Sequence, residues 1–235
     1  MKAVHQVFRD AFAAAPQLID GVAAGDRSRA ELVGSFYANV LSFLHGHHSG
    51  EDELVWPLLT ARCGDAAAEV QRIADQHGAL DPAIERAEVL LGGWAATPDP
   101  ALGAAVVQAL TQLREVLVAH LDEEEEVVLP LAAEHLTVEE WGALPAHGMK
   151  SFTGDKLWLI LGLLRDRMTQ EQRDLMLAHM PPPLVVLAER RRALLPRPPG
   201  RARPLRPAGA TPGVARARRQ ERASCLALAT TRTTV

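Results

Sequence analysis

Several features that define other classes of protein are scarce in this chain of 235 residues. Aromatic residues make up only 4% of it, and β-branched runs of strand length are few, which favours an all-α protein. Cys63 and Cys225 are its only cysteines, too few and too far apart for a disulfide framework or a thiolate zinc site. We therefore expect a reducing, cytoplasmic setting.

Long apolar segments are also missing. The N-terminal sequence MKAVHQVFRD has no apolar core of the length found in signal peptides. Nowhere do about 18 apolar residues follow one another without interruption, as a membrane-spanning helix requires. We therefore expect a soluble protein without a membrane partner.

The abundant residues are those of helical proteins. Apolar residues make up 48% of the chain, which is enough for a core, and Ala, Leu, Glu and Arg are frequent. The net charge of −4 divides unevenly, because residues 196–235 carry nine Arg and one Glu and so leave −12 on residues 1–195. The sequence therefore predicts an acidic all-α protein with a basic tail.

Apolar residues at helical spacing predict four long helices with short connections, which favours an up-down-up-down four-helix bundle. The predicted helices span residues 2–24, 28–62, 66–92 and 100–135. Pro16 is expected to kink the first helix, and Asp99 with Pro100 to begin the fourth.

The chain divides by composition into a bundle at residues 1–135, a helical extension at 136–195 and a tail at 196–235. The extension is predicted to pack on the bundle, with helical pieces at residues 137–144, 152–167 and 170–179. The tail is rich in Pro and Arg, lacks an apolar period and is predicted to be disordered. Without aromatics or a docking motif, it is not expected to bind nucleic acid.

One motif occurs twice on the apolar seams of these helices. HHSGEDELVWP begins at His47 and HLDEEEEVVLP begins at His120; each has a glutamate four positions later, at Glu51 and Glu124, and a proline six positions after that. A histidine and a carboxylate four residues apart project from the same side of a helix. Polar residues in two core rows indicate a metal site.

A third copy of this spacing, at His135, Glu139 and Pro145, is not expected to contribute. Thr137 and Glu140 form a predicted capping box, so a new helix begins between His135 and Glu139 and the two side chains lose their common face.

Two further histidines occupy core rows. His5 precedes His47 by 42 residues, and His77 precedes His120 by 43. Each helical hairpin therefore contributes one histidine followed by one H-x3-E motif, which is the pattern of an internal repeat.

Four imidazoles and two carboxylates in one bundle core suit Fe(II), Mn(II) or Zn(II). Burial of two bare glutamates would be costly. Two divalent ions would offset the charges of Glu51 and Glu124, and fewer than six protein ligands per metal would leave room for a diatomic molecule or peroxide.

The pattern over residues 1–135 resembles the hemerythrin-like family, the HHE cation-binding domain. The resemblance rests on His5, HHSGE from His47, His77, HLDEE from His120 and the two trailing prolines. It implies a non-haem di-iron centre with a bridging oxo or hydroxo group. The implied terminal ligands are His5, His47, His77 and His120, and the implied bridging ligands are Glu51 and Glu124.

One position departs from the family's oxygen carriers, which have a further histidine one turn before the third-helix ligand. That position is Ile73 in this chain. The leading hypothesis is therefore a di-iron protein that binds, senses or reduces a small oxidant, namely dioxygen, nitric oxide or peroxide. The alternatives are a regulatory or structural helical module stabilised by its metal and, less favoured, a hydrolytic dizinc enzyme.

The remaining acidic residues and histidines near the motifs fall off the apolar seams. They are interpreted as a solvated face. They are Asp52, Glu53, Glu123, Glu125, Glu126, His45, His48, His135, His147 and His179. Tyr37 is interpreted as a core residue.

Overall fold

The computed structural model describes residues 1–150 and 155–179, which belong to one compact unit. The predicted disorder of residues 196–235, the end of the extension and Cys225 lie outside the described residues.

The described residues form helices joined by short connections, and no strand occurs among them. The prediction of an all-α protein is therefore confirmed for this part of the chain. The helices are α1 (Lys2–Ala13), α2 (Ala15–Asp20), α3 (Arg27–Leu54), α4 (Trp56–Arg62), α5 (Ala67–Ala74), α6 (Gln76–Ala96), α7 (Pro100–Glu123), α8 (Leu129–His135), α9 (Val138–Lys150), α10 (Asp155–Arg165) and α11 (Gln170–His179). A 3-10 turn spans Gly64–Ala66, and a π-helical segment spans Glu124–Val128.

Each of the four long helices predicted from the sequence is interrupted once. The first breaks at Ala14 and the second at Val55, in each case two residues before a proline, and the third breaks at Asp75. Proline lacks an N–H group and its ring collides with the carbonyl four residues earlier, which explains the first two breaks. The first break agrees with the kink expected at Pro16, whereas the prediction of continuous helices was wrong at Val55 and Asp75.

The core lies where α3, α6, α7 and the α1–α2 pair pack against one another in a ring. Tyr37, Leu44, Leu110 and Leu113 are fully buried in it. Each such apolar side chain contributes about 1.5–3 kcal/mol relative to exposure. The Tyr37 hydroxyl donates a hydrogen bond of 3.0 Å to the Ala11 carbonyl, which agrees with its interpretation as a core residue.

Beyond this ring, α4, α5 and α8 form a second apolar cluster at one end. Its members include Val55, Trp56, Leu59, Ile73 and Val128, all buried. This cluster lies at the end of the bundle where α3 and α7 end. The two H-x3-E motifs lie close to those ends.

Two predicted helix starts are confirmed. The Asp99 carboxylate accepts hydrogen bonds from the backbone N–H groups of Ala101 and Leu102 at the start of α7. Thr137 and Glu140 form the reciprocal capping box before α9, at 2.9 and 3.2 Å. Capping satisfies N–H groups that have no partner within the helix, and each cap contributes about 1 kcal/mol.

The extension packs on the bundle through α9, which lies against α3, and through α10, which lies against α1 and α3. A Cβ atom at Gly50 would meet the His147 ring at 3.2 Å and Leu144 at 3.5 Å. Gly50, near the C-terminal end of α3, is therefore accounted for by the close approach of α9. Arg62 adds a bidentate ion pair to Glu140 at 2.7 and 2.8 Å.

The helical stretch Pro100–His135 is long and apolar enough, by length and composition, to cross a membrane. In this fold Val106, Leu110, Leu113 and Leu117 are buried in the core, whereas Leu102 and Val116 are exposed. A core helix of a bundle has the same composition, so the stretch carries no argument for a membrane here.

Candidate metal centre

The six residues predicted as metal ligands all lie in the bundle interior. The side chains of His5 and Glu51 have no exposed surface, and those of Glu124, His120, His47 and His77 are at most 7% exposed. α1, α3, α6 and α7 each contribute a histidine, and the two glutamates lie on α3 and at the end of α7. Periodicity had placed these polar residues on core rows, and the structure brings them together there.

The nitrogen and oxygen atoms that could bind a metal form two groups, in each of which they all lie within 4.8 Å of one another. The first, here called the His5 group, consists of His5, His47, Glu51 and Glu124. The second, here called the His48 group, consists of His48, His77 and His120. Each group is large enough to hold one metal ion.

Glu51 joins the two groups with its two carboxylate oxygens. Its Oε1 lies 3.5 Å from Nε2 of His47, and its Oε2 lies 3.7 Å from Nε2 of His77. One oxygen therefore faces each group, which is the arrangement of a carboxylate able to bridge two ions.

Glu124 joins the groups from the opposite helix. Its Oε2 lies 3.4 Å from Nε2 of His5 and 3.7 Å from Nε2 of His120. The helix changes from α to π geometry at this residue, six positions before Pro130. π-helical turns are common at functional sites, because the widened turn changes the direction of its side chains.

The interpretation of His48 as a solvated residue was wrong. His48 is 4% exposed, and its ring stacks on that of His77 with the centroids 4.1 Å apart. Consecutive residues of a helix point about 100° apart, and α3 packs against both α1 and α6. His47 therefore faces His5 on α1, with ring centroids 5.2 Å apart, whereas His48 faces α6.

Three of the histidines are held by hydrogen bonds at the ring nitrogen that faces away from the groups. Nδ1 of His5 bonds to Glu125 at 2.9 Å, Nδ1 of His77 to Asp52 at 2.7 Å, and Nδ1 of His120 to the Gln76 amide oxygen at 2.9 Å. A proton on Nδ1 leaves the Nε2 lone pair for a metal, and such partners fix the ring orientation of metal-binding histidines.

Asp52 and Glu125 are therefore not merely part of a solvated face, as the sequence had suggested. The Asp52 side chain is half exposed and that of Glu125 is 21% exposed, yet each carboxylate has a defined partner in the site. Arg9 donates a hydrogen bond of 2.7 Å to Glu125 and so holds this carboxylate against His5. A residue beside the core row of one helix can still contact a histidine on a neighbouring helix. The apolar pattern along a single helix does not reveal such a contact.

Burial shifts the pKa values of the glutamates and histidines of the site in opposite directions. Burial raises the pKa of Glu124 to about 7, and burial together with repulsion from Glu124 raises that of Glu51 well above its usual range. Burial lowers the pKa of His5 to about 4 and that of His120 to about 3. The imidazoles are therefore neutral, and the carboxylates need positive charge between them to ionise.

The unpaired polar atoms of the interior fit a metal pair. Buried polar atoms in proteins nearly always have a hydrogen-bond partner. Here Nε2 of His5, His47 and His48, both oxygens of Glu51 and Oε2 of Glu124 have none. In addition, Nε2 of His77 and Nε2 of His120 face each other at 3.2 Å, where a shared cation would satisfy both.

Ile73, the position at which oxygen carriers have a further histidine, is fully buried. It packs in the apolar cluster with Val55, Trp56 and Leu59. The turn of α5 before the His77 ligand therefore contributes packing to the site and no ligand. The third imidazole of the His48 group comes from α3 instead.

The family model of the hemerythrin HHE cation binding domain matches residues 1–132, and the chain belongs to this family. The match covers α1 to α7 and most of α8, including every residue of both ligand groups. Searches of the curated proteins and of the solved structures found no significant match. The family and the clustered His and Glu side chains together support metal binding.

Proposed function

We propose that this chain holds a non-haem di-iron centre that binds, senses or reduces a small oxidant such as dioxygen, nitric oxide or peroxide. The observation that carries the proposal is the pair of buried ligand groups linked by Glu51 and Glu124. The proposed scaffold is the up-down-up-down bundle expected from the sequence, in which facing helices contribute ligands to a common interior.

The donor set supports two divalent ions. Neutral imidazole and carboxylate are ligands suited to iron, and no thiolate belongs to either group. Two divalent cations against two glutamates and one bridging hydroxide leave a net charge of about +1, which compensates the burial of both carboxylates. The proposed ligands are those predicted from the sequence, with His48 added.

The residues of the chain would orient the metals and limit access to them. Asp52, Glu125 and Gln76 hold three imidazoles with Nε2 directed inwards. The rings of Phe8 and Trp56 lie 5.5 Å from His47 and 5.6 Å from His77 and exclude water from those sides. The iron pair, when bound, would supply one-electron redox chemistry and open coordination positions for the oxidant.

We expect binding with electron transfer to the oxidant. Seven side chains would provide the ligands of both metals, which would leave positions open for an external molecule. Ile73 offers no imidazole, but His48 supplies the third imidazole of its group from α3. The same open centre supports sensing or reduction of nitric oxide or peroxide, so the choice of oxidant is a matter for experiment.

The test uses the full chain, loaded with iron and reduced under anaerobic conditions, and mixed with oxygen, peroxide or nitric oxide in a stopped-flow spectrophotometer. The expected result is rapid oxidation by oxygen or peroxide that evacuation does not reverse, together with a spectral change on exposure to nitric oxide. The Glu124→Ala variant treated in the same way serves as the control.

One outcome would reduce the proposal to reversible binding, and a second would contradict it. Release of oxygen under vacuum, with recovery of the reduced spectrum, would indicate a carrier. A loaded protein whose metals change neither redox state nor spectrum with any of the three oxidants would indicate a helical module that its metal only stabilises.

A further inference from the structure

A cavity of about 400 Å³ runs along α3 and α6 beside the His48 group. It is lined by His45, His48, Ser49, Asp52, Ala74, Asp75, His77, Gly78 and Asp81. Two members of the His48 group therefore contribute to its wall.

The lining residues differ in exposure in a consistent way. His48 and His77 are buried, at 4% and 5% exposure, whereas Asp52, Asp75 and Asp81 are exposed. The buried histidines therefore form the floor of the cavity, and the carboxylates lie at its mouth. None of the lining residues is Lys or Arg.

The floor carries an unsatisfied ligand atom. Nε2 of His48 is buried and has no hydrogen-bond partner. The ring stacks on His77, whose Nδ1 is fixed by Asp52 at the mouth. A buried imidazole nitrogen without a partner, reached from a cavity with carboxylates at its mouth, is an acceptor for a cation.

We propose that this cavity is the route by which a divalent cation enters the buried centre, with His48 and His77 as its first imidazole ligands. The inference rests on the proposed metal centre and adds the path to it. A hydrated dication would be attracted by the three aspartates, because a cleft lined by one sign of charge concentrates the opposite ion. It would then exchange water for the imidazoles of the floor.

Gly78 provides a way to block the route. It is exposed, lies on α6 at the cavity, and a Cβ atom added there would meet nothing within 4 Å. The Gly78→Leu variant would therefore fill the mouth without a backbone clash. Gly92 on the same helix also has open space but does not line the cavity, so Gly92→Leu is the matched control.

The measured quantity is the rate at which metal-free full-length protein takes up Co²⁺, followed by the absorption of the bound ion. Gly78→Leu should slow uptake severalfold and leave the final stoichiometry unchanged, whereas Gly92→Leu should load like the wild type. Elemental analysis at the end point separates a blocked route from a damaged site.

A charge variant tests the mouth without changing its shape. The double variant Asp75→Asn with Asp81→Asn should load about tenfold more slowly at low ionic strength, and salt should reduce the difference. Glu85→Gln with Glu88→Gln removes the same charge from exposed positions of α6 outside the cavity and should have little effect.

Wild-type uptake rates in both Gly78→Leu and the aspartate pair would overturn the inference, because the ion would then enter elsewhere. A charge effect of equal size in the glutamate pair would also overturn it, since the field of the whole protein would explain it. Absence of Co²⁺ uptake by the wild type would instead refute the metal centre itself.

Discussion

His47–Glu51 on α3 and His120–Glu124 at the end of α7 are two copies of one motif, but they contribute to the site differently. The residue that follows the motif histidine is His48 on α3 and Leu121 on α7, and both are buried. Helix α3 therefore has candidate ligands on two sides, whereas α7 has them on one.

This difference makes the two ligand groups chemically unequal. The His48 group offers three imidazoles and the His5 group offers two, while Glu51 and Glu124 face both groups. A repeat that is nearly symmetric in sequence thus gives an asymmetric pair of positions. The metal at the His48 group is expected to be the more accessible one, since the cavity reaches that group.

The largest expected effect follows from loss of a residue that both groups share. Glu124→Ala should remove most of the metal and lower the thermal midpoint of unfolding of protein loaded with metal, because ligand binding is coupled to folding. His135→Ala, at a histidine outside both groups, is the control. Metal content equal to that of the wild type in Glu124→Ala would show that this glutamate is not a ligand.

Loss of a residue that belongs to only one group should remove about half as much metal. His48→Leu gives α3 the residue that α7 has at the equivalent position, and it should lower the metal content from two ions per chain towards one. Elemental analysis after removal of weakly bound metal would measure this. Two ions retained in His48→Leu would mean that His48 fills space beside the centre and does not bind metal.

A smaller effect is expected from the residues that orient the histidines. Asp52→Asn should weaken metal binding about 10–100-fold, as loss of such hydrogen-bond partners does in other metal sites. Asp65→Asn is the control, because Asp65 is exposed on the turn before α5 and belongs to neither ligand group. Competition with a chelator of known affinity gives the metal affinity of each variant. An affinity of Asp52→Asn equal to that of the wild type would show that Asp52 does not contribute to metal binding.

The smallest net effect is the response of the metal-free protein to acid, because the two kinds of ligand respond with opposite signs. The lowered pKa values of His5 and His120, about 4 and 3, favour the folded state above the unfolded histidine pKa of about 6.5. That stability is lost as the pH falls towards 4. The raised pKa of Glu124, about 7, acts the other way and costs stability as the pH rises from about 4.5 to 7.

Five histidines with lowered pKa values outweigh two glutamates with raised ones. The urea midpoint of the metal-free protein should therefore fall modestly between pH 6.5 and 5. A midpoint that rises over this range would mean that the carboxylates dominate and that the imidazoles are more solvated than the structure indicates.

Much of the site could be predicted from sequence because helical periodicity and burial are local properties. His5, His77 and the two H-x3-E pairs lie on core rows, and a polar residue on a core row requires a partner. The helix starts at Asp99 and Thr137 could be predicted for the same reason, since each cap depends on residues a few positions apart.

The rest depends on how the helices pack. His48 lies off its own apolar seam and becomes buried only because α3 has a second neighbour in α6. Asp52 and Glu125 reach histidines on other helices, 25 and 120 residues away in the chain. The break at Ala14 was expected from Pro16, and the break at Val55 could have been predicted from Pro57 in the same way. The change to π geometry at Glu124 has no comparable local signal.

Metal analysis of the protein isolated without added iron is the most direct test of whether two ions lie between these helices. We expect about two iron atoms per chain, bound in equal amount at the two groups. Iron–iron scattering in the X-ray absorption spectrum of the same sample would show that the two ions lie close to each other. A protein isolated without bound metal, and unable to take up iron when it is supplied, would show that the two groups do not form a di-iron centre.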